Sequence, residues 1–476
     1  MSAPMYPHLV DARWRRLSPW QIRLTKAMVL LGDVLSALTV AALAAMGAAQ
    51  LTGLSHADWL LTQDLTRYWA WLATLGVGVL FFLVRFKHYS DRKPFWTELG
   101  EIWRTVLVLA VLDLALTALL RWNASRLWWA LVWAGVAIAI PLARTALRGL
   151  MRRFRLWQRP TVIVGGGVNA DEAAAALSSE PALGFEVVAQ LGGHANLQLL
   201  RDWAKVPGVQ FVVAVEHGQN EWREEVLRQL ARQRAEDVSV IPAMRGVPLF
   251  GTDIAYFFSH EVAMLKLRNN LRYWPARLLK RAFDLVAALL LLGVMAVPLA
   301  AIAWRIRRDG GPAIFAHQRV GQTGKTFPCY KFRTMAVDAE QQLRDLLATD
   351  PAARAEWERE FKLRDDPRIT AVGHFLRRTS LDELPQLWNV IRGEMSLVGP
   401  RPIVASELPR YGDDVDYFLM VRPGITGLWQ VSGRSNLDYP TRVYLDTWYV
   451  KNWSLWYDIA ILFKTVAVVF KQRGAY

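Results

Sequence analysis

One cysteine, Cys329, serves the whole chain of 476 residues. No intrachain disulfide can form and nothing points to an oxidising compartment, so the working parts are expected in the cytosol. Acids are in deficit, 42 Asp and Glu against 57 Lys and Arg, which leaves a net charge of +15. Nucleic acid is not the expected partner. The bases flank apolar runs, where such residues meet anionic membrane lipids or obey the positive-inside rule. No small-residue cleavage site promptly follows the basic leader of Arg13, Arg15, Arg16 and Arg23, so a cleaved signal peptide is not expected. Internal repeats and low-complexity tracts are also missing. At this length two or more structural units are expected.

Apolar residues make up 53% of the chain, with 22 Trp, a bias that suits membrane interfaces. Four runs fill the first third: Ala27 to Ala49, Tyr68 to Phe86, Ile102 to Leu120, and Leu127 to Leu142, the last with Pro141 near its end. Each approaches the ~20 residues that a helix needs to cross a bilayer. The leader, the cluster Arg85, Lys87, Arg92 and Lys93, and the cluster Arg144, Arg148, Arg152, Arg153 and Arg155 all fall on one side. That side is therefore read as cytoplasmic, with residues 1–150 as a four-helix transmembrane region. Asp33 and Asp113 are the clear charges inside the runs, sparse for a transport pathway.

Residues 158–265 read as an α/β unit. "TVIVGGGVNADEAAAALSSE" is a strand, a glycine turn and a helix, and "VQFVVAV" and "DVSVIPA" supply further buried strands, a pattern that implies a parallel, Rossmann-like sheet. Gly165, Gly167 and Ala170 nearly fit the dinucleotide fingerprint, but the second strand ends in Gly192 and Gly193 where the ribose-binding acid should stand. A nucleotide site and a plain tight turn are both readings of this motif; the second is adopted.

A further apolar stretch, Ala282 to Ala303, has basic flanks on both sides: Lys280 and Arg281 before it, Arg305, Arg307 and Arg308 after it. An ordinary fifth span would put one cluster on the wrong face, whereas a re-entrant helix over about 280–308, turning back at Pro298, satisfies both. Beyond it, Ala339 to Phe361 reads as a solvated charged helix. The Trp- and Tyr-rich end, "YLDTWYVKNWSLWYDIAILFKTVAVVFKQ", reads as helix lying in the interface, with core packing as the alternative.

Between these segments run "HQRVGQTGKTFPCYKFRTM", "LRRTSLDELPQLWN", "SLVGPRP" and "VRPGITGLWQVSGRS". Cations beside backbone-exposing Gly are what anionic phosphates need, and the candidates are Lys331, Arg333, Arg377, Arg401, Arg422 and Arg434. Asp382 and Glu383 stand side by side among them. One carboxylate can attack phosphorus while its neighbour holds a hard cation. The same pair also suits a helix start, capped by Thr379 or Ser380.

These motifs, "GQTGKTFPCYKFRTM", "SLDELPQLWNVIRGEMSLVGPRP" and "RPGITGLWQVSGR", resemble the bacterial sugar transferases, the polyprenyl-phosphate hexose-1-phosphate transferases. The resemblance implies a membrane protein of mixed α and α/β class with a C-terminal phosphoglycosyl transferase domain over residues 275–476. It implies a UDP-sugar donor, undecaprenyl phosphate as acceptor, Mg²⁺ as cofactor and a cytoplasmic site on the bacterial inner membrane. Asp382 would be the nucleophile and Glu383 the Mg²⁺ ligand. Arg401 and Arg377 would contact phosphate and Asp446 matches another acid of the family's site; Lys331, Arg333 and Arg434, read from the residues, complete the expected phosphate-binding set. Lys280, Arg281, Asp284 and Pro298 would belong to the re-entrant helix, although Val297 stands where small relatives often carry Ser before the hairpin Pro. Galactose or glucose as the sugar is left open by the residues, and a homodimer, the commonest homo-oligomer, is the expected assembly. The rival readings are an NAD-dependent sugar-nucleotide enzyme using the Gly165 turn and a non-enzymatic membrane scaffold.

Overall fold

The computed structural model describes residues 19–63, 65–123, 125–192, 197–206, 208–216, 218–235, 237–244, 253–256, 263–266, 274–360, 363, 366–433 and 437–470. The chain forms two compact bodies, residues 1–245 and 246–476. Among the described residues, five helices are long and apolar enough to cross a membrane: Arg23–Thr52, Thr66–Arg85, Phe95–Leu119, Arg126–Arg153 and Trp274–Arg307.

Four of those helices lie in the first body. Ala37, Ala44, Ala45 and Ala48 are buried on the first of them. A Cβ on Gly135 of the Arg126–Arg153 helix would come within 2.6 Å of Val40. Small residues thus let two backbones approach closely, while Leu31, Leu35, Leu43, Leu107, Val111 and Leu142 point outward. Ser125 starts the Arg126–Arg153 helix by accepting from the Trp128 N–H at 3.2 Å. Pro141 lies inside that helix without ending it. Both acids of the apolar runs are paired. Asp33 accepts from Arg144 Nε at 2.9 Å and Nη2 at 2.6 Å and from the Tyr89 hydroxyl at 2.8 Å. Asp113 takes Arg67 and the Trp133 indole N–H. Glu98, also buried, binds Arg144 and Arg148. Buried charge survives only when neutralised in this way.

The same body carries four parallel strands, β1 (Arg159–Val164), β2 (Phe185–Leu191), β3 (Gln210–Val213) and β4 (Asp237–Val240), in the order β2-β1-β3-β4. Val162, Ile163, Val164, Phe211, Val212 and Val213 are all buried, as expected of parallel strands covered on both faces. Trp157 joins this sheet to the helices before it: its ring lies 4.4 Å from the Arg92 guanidinium and 5.1 Å from that of Arg148.

In the second body an antiparallel hairpin, β5 (Asp253–Tyr256) and β6 (Ala263–Lys266), precedes the helix Trp274–Arg307. Then come the hairpin β7 (Ile314–Val320) and β8 (Thr326–Phe332) and a short parallel pair, β9 (Ser396–Val398) with β10 (Gly424–Thr426). The stretch read as a helix over Ala339 to Phe361 is two helices, Ala339–Thr349 and Pro351–Glu360, broken at Asp350, which the following proline holds extended; the first buries none of its residues, as its charge pattern predicts. The helix Trp274–Arg307 continues through Pro298 and is fastened near both ends. Lys280 donates to Asp458 at 2.7 Å and to the Val398 carbonyl at 3.1 Å. Arg281 donates to the carbonyls of Val390 and Ile391. Asp284 accepts from the Ser396 hydroxyl at 2.8 Å and the Leu397 N–H at 3.2 Å. At the other end Ile306 packs with Ala313, Phe332 and Leu376, whereas Leu290, Val294 and Val297 between them are exposed.

Candidate active site

Thr370 starts the helix Ala371–Thr379 by accepting from the Gly373 N–H at 3.0 Å. A Cβ on Gly373 would lie 2.0 Å from the Thr334 carbonyl oxygen, so only glycine lets this helix lie against the chain leaving β8. The helix stops at Ser380, whose φ of 57° is left-handed. A single 3₁₀ turn, Leu381–Glu383, follows, and then the helix Gln386–Arg392. Neither predicted cap acts as one. Thr379 closes the preceding helix with its hydroxyl on the Phe375 carbonyl, and Ser380 makes no side-chain cap bond. Asp382 and Glu383 therefore sit in a tight turn between two helices.

Lys331, on β8, reaches Glu383 Oε1 at 2.6 Å. Asn389 sets that approach: fully buried, it accepts from the Tyr330 N–H at 3.1 Å and donates to the Pro328 carbonyl at 2.7 Å. The helix after the acids is thereby bolted to the strand that carries Lys331. Arg377 is held by Thr334 Oγ1 at 3.0 Å, and its charge acts on Asp382. Burial, and then the neighbouring Glu383, push the Asp382 carboxyl up to about 6 against the pull of Lys331 and Arg377. Asp382 is thus ionised at neutral pH yet more basic than an ordinary carboxylate, as suits a nucleophile. Cys329 is no rival: burial pushes its thiol up to about 11, and the thiol is a poor nucleophile without its thiolate.

Around this centre lies a second group. Arg401 lies 5.6 Å from the Trp429 ring and Arg442 5.1 Å from the same ring. Asp446, buried, accepts from the Tyr411 hydroxyl at 2.9 Å. Burial raises Asp446 to about 7, opposed by Tyr411 and by Arg401. Arg319 stands 3.7 Å from Glu407 and is disfavoured as a cation by burial and by Arg401. Arg319, Asn389, Tyr411 and Trp429 were not singled out from the sequence; Arg319 lies in the quoted "HQRVG", where its proximity to the other cations leaves no trace.

Not every expected residue joins the site. Arg333 turns to Asp309 and the Ile306 carbonyl, and Arg422 donates to the Gly393 carbonyl at 2.7 Å. Arg434 lies outside the described residues. Among the described residues no three His, Cys, Asp or Glu gather as a metal cage. The acid pair nevertheless fits Mg²⁺, which binds one or two carboxylates together with water and substrate phosphate rather than a closed protein cage. A raised acid beside a second acid is also relieved by a cation.

Residues 275–472 match the bacterial sugar transferase family. The chain is 51% identical to the UDP-galactose-lipid carrier transferase of Erwinia amylovora, over 85% of this chain and 87% of that one. It is 50% identical to the undecaprenyl-phosphate galactose phosphotransferase of Salmonella typhimurium, over the same shares of each. Against the UDP-glucose:undecaprenyl-phosphate glucose-1-phosphate transferase of Escherichia coli, identity is 33% over 73% of this chain and 76% of the relative. With acids, cations and long apolar helices in one chain, and relatives aligned along most of it, this protein belongs to the bacterial sugar transferase family and is a sugar transferase.

Proposed function

We propose that this enzyme transfers galactose 1-phosphate from UDP-galactose to undecaprenyl phosphate, releasing UMP, as the first membrane step in building an O-antigen or exopolysaccharide repeat unit. The observation that carries the chemistry is Asp382, half-buried and raised to about 6 beside Glu383, with Lys331 and Arg377 acting on it. The names of the two relatives near 50% identity favour galactose. The Escherichia coli relative supports glucose as the second reading, at lower identity.

In this mechanism an Asp382 carboxylate oxygen attacks the sugar-bearing phosphorus of the donor. The bond from that phosphorus to the bridging oxygen breaks, and UMP departs with the electron pair. An oxygen of undecaprenyl phosphate then attacks the same phosphorus and Asp382 leaves, restored as carboxylate, which yields a lipid diphosphate-sugar. Lys331, Arg377 and Arg401 offer positive charge to the phosphate oxygens. Glu383 would hold Mg²⁺, which supplies charge neutralisation at the diphosphate.

A soluble donor and a lipid acceptor must meet at one nucleophile, which suits a site at the cytoplasmic face of the inner membrane. The helix Trp274–Arg307 serves this as a re-entrant element. Side chains near both ends, Asp284 and Ile306, pack on the same body, with exposed apolar residues between, which supports that reading. The four N-terminal helices act as spans and the assembly is a homodimer; the C-terminal helices, expected in the interface, instead pack Tyr449, Trp453 and Ile461 into the core, and the outward-facing Phe463 and Val466 are what they offer the interface.

The test is UMP release by detergent-purified protein with undecaprenyl phosphate, Mg²⁺ and either UDP-galactose or UDP-glucose. Release from UDP-galactose, lost in Asp382→Asn, is expected. Release from UDP-glucose alone would replace the sugar and keep the chemistry; release from neither would overturn the proposal.

A further inference from the structure

The sheet order β2-β1-β3-β4 reverses direction between β1 and β3. In open parallel sheets a ligand is received in the crevice beyond the carboxyl ends of the two strands at such a reversal, its phosphate against a helix N-terminus. Here that place is bounded by Gly165–Gly167 at the end of β1, by Val215 and Glu216 after β3, and by the start of the 12-residue helix Val168–Ser179.

It is already filled. Glu216 Oε1 accepts from the Asn169 backbone N–H at 2.7 Å. A Cβ on Gly167, whose φ is 83°, would meet that same oxygen at 3.0 Å, so the glycine that lets a phosphate approach in dinucleotide sites here admits a carboxylate. Asn169 holds the wall in place by donating from Nδ2 to the carbonyls of Val215, at 3.3 Å, and Ile241, at 3.0 Å. A second acid, Asp171, stands in the first turn of the helix and accepts from Gln190 Nε2 at 3.1 Å. On the other side of β1, Gly166 faces Gly192 at the end of β2, and neither of these two residues has a side chain to take a ribose hydroxyl.

We infer that the carboxylate of Glu216 is a built-in replacement for a ligand phosphate, so that the middle domain retains the anion seat of a nucleotide-binding fold and occupies it in cis. Two consequences follow from the chemistry. A nucleoside diphosphate has no entry to this crevice while Glu216 is in it, since it would have to displace a charge-assisted hydrogen bond and face Asp171. Vacating the seat leaves free N–H groups at a helix N-terminus, which inorganic pyrophosphate can then use.

Hydrogen–deuterium exchange on the full-length protein in detergent, followed in the peptide covering residues 164–175 at constant ionic strength, separates this crevice from any anion response elsewhere in the chain. In the wild type, exchange there is expected to be the same with and without pyrophosphate. In Glu216→Ala it is expected to speed up by roughly ten-fold or more and to return toward the wild-type rate saturably as pyrophosphate is added. Glu216→Gln keeps the shape, and so is expected to exchange only slightly faster and to ignore pyrophosphate; it also serves should the alanine variant fail to fold. Slowing of wild-type exchange by pyrophosphate would show an open site and overturn the inference. A fast alanine variant deaf to pyrophosphate, or a glutamine variant that binds it, would equally overturn the replacement of phosphate by Glu216.

Discussion

Asp382 and Glu216 each stand in a turn that leads into a helix, with groups nearby that could meet a phosphate. Glu216 spends its charge on a backbone N–H at 2.7 Å, next to a wall braced by Asn169. Asp382 is desolvated beside a like charge and raised to about 6, while the nearest lysine is engaged by Glu383. The first acid closes a site and the second keeps one chemically ready. The difference is one of partners, since an acid satisfied by the fold has little left for a substrate.

The contrast is broken most severely at the nucleophile. Asp382→Asn keeps the side-chain shape, and steady-state UMP release is expected to fall by roughly 1,000-fold or more. Near-wild-type turnover in that variant would remove Asp382 from the chemistry.

Next in size are the acids that the fold has claimed. Asp458 is fully buried and held by Lys280, the Tyr449 hydroxyl and the Trp453 N–H. Lys280→Met strands that carboxylate, and denaturant unfolding should show a loss of about 3–5 kcal/mol. Adding Asp458→Asn should recover part of the loss.

Asp446 tests the same idea through pH. Its folded-state carboxyl is raised to about 7, so the native state binds the proton more tightly than the unfolded chain. The stability this confers is present below about 4 and is lost as pH rises to about 7. Asp446→Asn, which can still accept from Tyr411, should flatten the dependence of Tm on pH across that window. An unchanged slope would mean that this carboxyl does not titrate there.

The smallest effects sharpen the comparison at the active site. The acid limb of UMP release should lie near pH 6, where Asp382 protonates. Lys331→Met removes a charge that lowers Asp382 and should move the limb upward. Glu383→Gln removes one that raises it and should move the limb downward, each by about one pH unit or less. Shifts of the same sign would contradict the electrostatics. Glu383→Gln should also weaken the Mg²⁺ dependence of the rate.

Much of this was legible beforehand because it is local. Apolar runs mark the long helices, buried three-residue runs such as "VIV" and "FVV" mark parallel strands, and the adjacent acids need no fold to be adjacent. What could not be read depends on contacts between distant segments. Arg333 and Arg377 look alike in sequence, yet one turns to Asp309 and the other to Thr334 beside the acids. Asn389 reads as one more helical residue until it is seen holding β8. The glycine turn was read as a plain turn for want of an acid after β2, and Glu216, 49 positions beyond Gly167, has no sequence mark of its own.

The proposed chemistry turns on Asp382 as the carrier of the phosphosugar between donor and lipid. It is tested most directly by incubating purified protein with UDP-galactose and Mg²⁺ but no lipid acceptor, and measuring intact and peptide masses. A hexose-phosphate adduct is expected on the peptide bearing Asp382, absent in Asp382→Asn and discharged by undecaprenyl phosphate. UMP release that requires the lipid and leaves no adduct, or an adduct on another residue, would contradict it.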